Sequence, residues 1–212
     1  VYKRQDNMPF YSTGSITIDP NDSSRIWVGT GENVAGRHVG IGHGIYLSKD
    51  SGSTWDDMGL KKSEHISKII VHPDNSNIIW VASQGPLWNS GGDRGLFMST
   101  DGGNTWSNKL YVNEWTGVTD IIIDPTNPDI LYAATWQRHR NVASLIDGGP
   151  GTSIYKSIDG GNTWNEIDSG LPSSNMGKIG LAISPMKPEV IYAAIELDRR
   201  SGAVFRSDNS GG

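Results

Sequence analysis

Short apolar runs recur in a fixed order along the whole chain. The first reads Ile16-Thr17-Ile18-Asp19-Pro20 and returns at Ile69 to Pro73, Ile121 to Pro125 and Leu181 to Pro185. A polar turn follows each proline. Then comes a second run: Ile26-Trp27-Val28, Ile79-Trp80-Val81, Leu131-Tyr132-Ala133 and Ile191-Tyr192-Ala193. After a connection of variable length comes a third: Ile45-Tyr46-Leu47, Leu96-Phe97-Met98, Ile154-Tyr155-Lys156 and Val204-Phe205-Arg206. Runs this short, rich in β-branched and aromatic residues and bounded by Gly, Pro, Asn and Asp, read as strands, and no helical stripe competes with them.

The third run always leads into the phrase Ser-x-Asp-x-Gly-x-Thr-Trp. Its members are Ser48, Asp50, Gly52, Thr54 and Trp55, then Ser99, Asp101, Gly103, Thr105 and Trp106, then Ser157, Asp159, Gly161, Thr163 and Trp164. A fourth copy, Ser207, Asn209 and Gly211, runs to the last residue. The phrase is a hairpin connection. Its carboxylate can turn back onto backbone N–H groups, as can Asn209, and its glycine supplies angles that a Cβ resists. The Trp buries a large ring beside the turn and fixes the hairpin to its blade. These residues are read as structural.

Together the runs and the box make a four-stranded antiparallel unit of about 50 residues, the size of a propeller blade. The expected fold is all-β, an incomplete β-propeller. Its blades fall at 14–60, 64–110 and 116–168, with three strands of a fourth at 177–212. Closed propellers have typically about 4–8 blades, so the remaining blades of the same chain are expected partners, and the isolated piece is expected to be marginal or aggregation-prone. Val1-Tyr2-Lys3-Arg4-Gln5 fits no strand and reads as an adapter-derived scar, leaving 6–212 as the partial propeller.

Composition narrows the partners. The net charge is −5 without a basic stripe, which argues against nucleic acid and anionic membrane, and no apolar stretch is long enough to insert in a bilayer. The chain has no cysteine, so it has neither a disulfide framework nor a thiolate site. The five histidines are scattered without ligand spacing, so no metal and no cofactor is expected.

Loops joining the second strand to the third, and each blade to the next, should share one face, with the boxes on the other. Function is expected on the former: 31–44, 84–95 and 136–153, with 59–66, 109–118 and 168–178. Trp88, Trp115 and Trp136 fit no repeat position and could stack on sugar rings or anchor a peptide. Glu32, Glu64, Glu114 and Asp120 supply carboxylates there, while Arg138 and Arg140 offer forks for an anion. Lys68 and Asp120 hold the same place in successive blades and read as an ion pair stitching them together. No catalytic pair stands out, and an Arg-Ile-Pro signature of sialidases is missing.

The boxes resemble the bacterial-neuraminidase, or Asp-box, repeat. The phrases at 123–138 (Ile-Asp-Pro-Thr-Asn-Pro-Asp-Ile-Leu-Tyr-Ala-Ala-Thr-Trp-Gln-Arg) and 44–55 are similar to those of bacterial sortilin-type propellers, often called glycosyl hydrolase repeat proteins. The resemblance implies a non-catalytic, extracytoplasmic module that binds peptide, protein or glycan on its loop face. The alternative is part of a glycoside hydrolase.

Overall fold

The computed structural model describes residues 8–198 and 201–212; residues 1–5, expected above to be a scar, and the pair Arg199-Arg200 lie outside them. The fold is all-β, with one antiparallel sheet per repeat. The first holds β1 (Thr13–Asp19), β2 (Asp22–Thr30), β3 (Ile45–Ser48) and β4 (Asp56–Asp57), in that order. The second holds β5 (Ile66–His72), β6 (Asn75–Ser83), β7 (Gly95–Ser99) and β8 (Ser107–Leu110) in the same order.

The third departs from the plain four-stranded blade. Here β9 (Thr116–Ile123), β10 (Leu131–Arg140), β12 (Ile154–Ser157) and β13 (Asn165–Ile167) form the blade, and β11 (Leu145–Asp147) adds a fifth strand. The overlong β10 runs past the blade and pairs with β11, matching Arg138 to Asp147 and His139 to Ile146. Asn141 makes the turn between them: its Oδ1 accepts from the N–H of Ala143 and of Ser144 at 2.9 and 2.8 Å. The segment expected as a loop is therefore partly a raised hairpin. The fourth sheet has β14 (Ile179–Ile183), β15 (Ile191–Leu197) and β16 (Ser201–Ser207).

Each box folds by the same bonds. In the second, Ser99 Oγ donates to Asp101 Oδ1 at 2.8 Å, while Gly103 N donates to Ser99 Oγ at 2.8 Å. Thr105 closes the ring, its N–H reaching Asp101 Oδ1 at 2.9 Å and its hydroxyl Oδ2 at 2.7 Å. Equivalent bonds recur around Asp50 and Asp159. Asn209 keeps the first part, accepting from Ser207 Oγ at 2.8 Å. The carboxylates are spent on the turn, which is why Asp50, Asp101 and Asp159 are held down to about 2.

The core lies between blades. Trp27, Ile45 and Leu47 pack against Ile69, Val71, Ile79 and Val81 of the next sheet. Trp80, Leu96 and Met98 meet Ile121, Leu131 and Ala133, and Tyr132 and Ile154 meet Leu181, Ile191 and Ala193. Burying one such side chain is worth about 1.5–3 kcal/mol. The box tryptophans join this system, since Trp106 Nε1 donates to Met58 O of the preceding blade at 2.7 Å. Trp106 thus secures blade to blade, beyond the role within one blade expected from the sequence, while Trp164 Nε1 donates within its own box to Gly161 O at 3.1 Å.

Candidate functional site

The loops between second and third strands and those between blades do meet on one face. Gly42 N donates to Glu64 O at 2.8 Å, Gly91 N to Glu114 O at 2.8 Å, and Arg140 N to Leu87 O at 2.9 Å. The boxes sit at the other end, bonded to the first hairpin turn of their own blade, as in Gly102 N to Asn77 O at 3.0 Å.

Two arginines build this face from within. Arg94 is buried and donates to the carbonyls of Gln84, Asn89, Gly91 and Trp115 at 2.7–3.2 Å, and also to that of Pro86. It shapes the 84–93 loop and ties it to Trp115. Arg138 is equally buried and donates to Val34 O at 2.8 Å and Gly85 O at 3.2 Å. Among the described residues neither has a carboxylate at ion-pairing distance. Burial lowers Arg94 to about 10 and Arg138 to about 9. It also drives the enclosed His65 down to about 3, with Arg138 adding to the effect.

The segment 33–37 crosses the face from the first blade to the third and fourth. Asn33 O accepts from Lys178 Nζ at 2.6 Å, Asn33 Oδ1 accepts from Gln84 Nε2, and Ala35 O accepts from Arg140 at 3.1 Å. Beneath it lies Trp136, only 2 % exposed, with the Arg138 guanidinium and the Lys178 ammonium 5.1 and 5.2 Å from its ring centre.

This corrects part of the sequence reading. Trp136 and Arg138 are enclosed, and the Arg140 side chain is occupied by a backbone carbonyl, because the long first loop folds over all three. Glu32 is exposed but closes its own loop, accepting from Gly40 N at 2.8 Å. Glu114 is exposed, and Trp88 and Trp115 are half-buried. Trp115 packs on His139 with ring centres 4.2 Å apart and planes tilted by 38°, so the raised hairpin and the 111–115 connection together present an aromatic ledge. Lys68 and Asp120 form their expected pair at 3.1 Å, and Asp120 Oδ2 also accepts from Leu181 N at 2.8 Å. They line a cavity of about 420 Å³ between the innermost strands with Ser67, Thr119 and Lys178.

The sequence reading missed a second feature. A polar cleft of about 290 Å³ opens between the third and fourth blades, lined by Asp147, Asn175, Gly177, Glu196 and Asp198. Asp147 comes from β11 and Glu196 from β15. Gly177 lies between them: a Cβ there would stand 2.9 Å from Glu196 Oε2 and 3.0 Å from Asp147 O. Burial raises Asp147, and the neighbouring Glu196 charge raises it further. Its Oδ1 is shielded from solvent and has no hydrogen-bond partner among the described residues. The available signal was register: Asp147 falls opposite Arg138 once the hairpin turn at Asn141 is recognised.

A family model described as "Sortilin, neurotensin receptor 3" (Sortilin-Vps10) matches residues 43–178, well over half of the chain. The chain belongs to the Sortilin-Vps10 family. Its curated relatives include xyloglucanase Xgh74A of Acetivibrio thermocellus, 26% identical over 184 residues, covering 77% of this chain and 20% of that protein. Another is a probable oligoxyloglucan-reducing end-specific xyloglucanase of Neosartorya fischeri, 24% identical over 170 residues, covering 73% and 17%. This Sortilin-Vps10 member thus spans about a fifth of the length of those relatives. Among solved structures, the GH74 xyloglucanase from Xanthomonas campestris superposes with a TM-score of 0.66 at 17% identity, over 94% of this chain and 29% of that one. An ancestral GH74 enzyme gives 0.65 at 22% identity, over 96% and 24%. These likenesses support the β-propeller arrangement of the blades. No helix among the described residues is long and apolar enough to cross a membrane.

Proposed function

We propose that this chain is part of a carbohydrate-active propeller of the glycoside hydrolase type, taking a β-glucan backbone such as that of xyloglucan along its loop face, outside the cytoplasm. The observation that carries this is the Trp115–His139 ledge on the hairpin whose other strand bears Asp147. Flat, half-exposed rings suit the apolar faces of pyranose units, and polar groups beside them suit the hydroxyls. The xyloglucanase relatives favour a glycan over a peptide.

In this reading Trp115 and Trp88 hold the sugar chain. Glycosidic cleavage uses one carboxyl that holds a proton and one that is ionised. Asp147, raised by burial and by Glu196, fits the first role, and Glu196 across the cleft is the candidate for the second.

Native affinity electrophoresis in gels containing xyloglucan, mixed-linkage β-glucan or no polymer tests the binding. Retardation by xyloglucan is expected, and Trp115→Ala should weaken it about tenfold, the effect of losing about 1.4 kcal/mol at a central aromatic contact. Equal mobility in all three gels overturns the proposal.

A further inference from the structure

The raised hairpin has two faces, and strand register assigns each of its side chains to one of them. Side chains alternate along β10. Tyr132 and Ala134 pack toward the fourth blade with Leu181 and Ile191, while Leu131 and Ala133 pack toward the second with Trp80 and Leu96. Carried upward, the alternation puts Trp136, Arg138 and Arg140 on the fourth-blade side. Their contacts agree: Lys178 lies over the Trp136 ring, and Arg138 and Arg140 reach the 33–37 segment. His139 falls on the second-blade side, where Trp115 meets it.

Directly opposed residues of an antiparallel pair share a face, with Cβ atoms about 4.5–5.5 Å apart. This sorts β11 as well. Asp147 stands opposite Arg138 and Leu145 opposite Arg140, so both belong to the fourth-blade side. Ile146 stands opposite His139 and belongs to the second-blade side, where it is 48 % exposed. The ledge is therefore three side chains in a line. Trp115 begins it beside β9, His139 continues it on β10, and Ile146 ends it on β11, the last strand of its sheet. The Asp147 carboxylate lies on the reverse of the same hairpin.

Resting on the glycan reading above, we propose that Ile146 is a further substrate-contacting residue, the third contact of the ledge. The glycan lies across the second-blade side of the hairpin, over Trp115 and His139, and its next pyranose ring covers Ile146. The apolar faces of pyranose units suit this row, since a branched aliphatic side chain beside two flat rings lengthens one continuous apolar strip. The ledge then holds sugar units beyond the bond that Asp147 and Glu196 face. The chain passes from one side to the other round the outer edge of β11, where the sheet ends.

Two neighbours on one strand that point opposite ways supply the test. Native affinity electrophoresis in xyloglucan gels compares the wild type with Ile146→Ser and Leu145→Ser. Both side chains are exposed, Leu145 at 37 %, so both variants should keep the wild-type circular dichroism and the wild-type mobility in polymer-free gels. Ile146→Ser is expected to weaken retardation about fourfold, the effect of losing the burial of about one methylene. Leu145→Ser, turned toward the 33–37 segment, is expected to leave it unchanged. Retardation that is the same in Ile146→Ser as in the wild type, or that falls as far in Leu145→Ser, overturns the role of Ile146 while glycan binding itself stands. A wild type that xyloglucan does not retard overturns both that role and the reading beneath it.

Discussion

The indole Nε1 of Trp80, on the second strand of one blade, donates a 3.1 Å hydrogen bond to the carbonyl of Gly160 in the box of the next. The same relationship recurs one blade on, where Tyr132 Oη donates to Ser210 O at 3.0 Å. The first joint keeps the contact without the bond: Trp27 packs edge-on against Trp106, ring centres 6.4 Å apart, and against Gly103. The box therefore does two jobs. Its Ser and Asp close the turn within a blade, and its glycine offers a flat backbone surface to the neighbour's aromatic ring.

Gly161→Ala should be strongly damaging. Gly161 has φ +84°, and an added Cβ would lie 2.6 Å from Trp80 Nε1. Backbone strain and overpacking together should cost about 2–4 kcal/mol in urea unfolding. Gly91 also has positive φ, at +70°, but a Cβ there meets nothing within 4 Å, so Gly91→Ala should cost only about 1–2 kcal/mol. Equal losses at the two sites would contradict the packing role.

Box and strand register were legible in the sequence because both repeat, and a repeat reports geometry without any knowledge of partners. The Lys68–Asp120 pair was legible for the same reason. The site was much less so. Whether Trp136 is a platform or a plug depends on segment 33–37 arriving from about a hundred residues earlier, and that segment accepts from Arg138, Arg140 and Lys178 through the Val34, Ala35 and Asn33 carbonyls, which any sequence supplies. Asp147 and Glu196 share a cleft only because β10 overruns its blade, and the run Gln137 to Arg140 is too polar to announce a strand.

The boxes should give the protein an acid-labile stability. Asp50, Asp101 and Asp159 sit at about 2, chiefly through the Thr54 N–H for the first and the Thr105 and Thr163 hydroxyls for the others. A carboxylate whose folded pKa is depressed contributes stability that is complete above its unfolded value, near 3.8, and is lost as pH falls through about 2. Unfolding free energy should therefore decline across that window. The triple variant Asp50→Asn/Asp101→Asn/Asp159→Asn should show a flatter decline, since Asn209 shows that an amide still accepts the serine hydroxyl. An unchanged acid slope in the triple variant would assign the lability elsewhere.

Asp120 should matter more than its ion-pair partner. It meets Lys68 of the second blade at 3.1 Å and the Leu181 N–H of the fourth at 2.8 Å, joining three blades. Lys68 is 43% exposed at its side chain, so Lys68→Ala should cost about 0–1 kcal/mol. Asp120→Ala also strips an acceptor from a buried backbone donor and should cost about 1–3 kcal/mol. Thermal denaturation of both single variants and the double variant separates the two contributions.

Asp147→Asn should stabilise the protein while damaging any glycan cleavage it performs. Burial first, and then the Glu196 charge, raises the Asp147 pKa in the folded state. A raised carboxyl contributes its full share of stability below the unfolded value near 3.8, and loses it as pH rises through the folded value, because the ionised form is then held in an unfavourable setting. The amide cannot ionise, so the variant should be more stable than the wild type at neutral pH and equal to it well below 3.8. Glu196→Gln removes the neighbouring charge and should lower the Asp147 pKa, shifting that crossover to lower pH. Urea titrations at several pH values measure both effects. Release of reducing ends from xyloglucan reads the other side: loss of turnover in Asp147→Asn, with binding to the Trp115 ledge retained, assigns the cleft to chemistry. Unchanged turnover in the variant removes Asp147 from it.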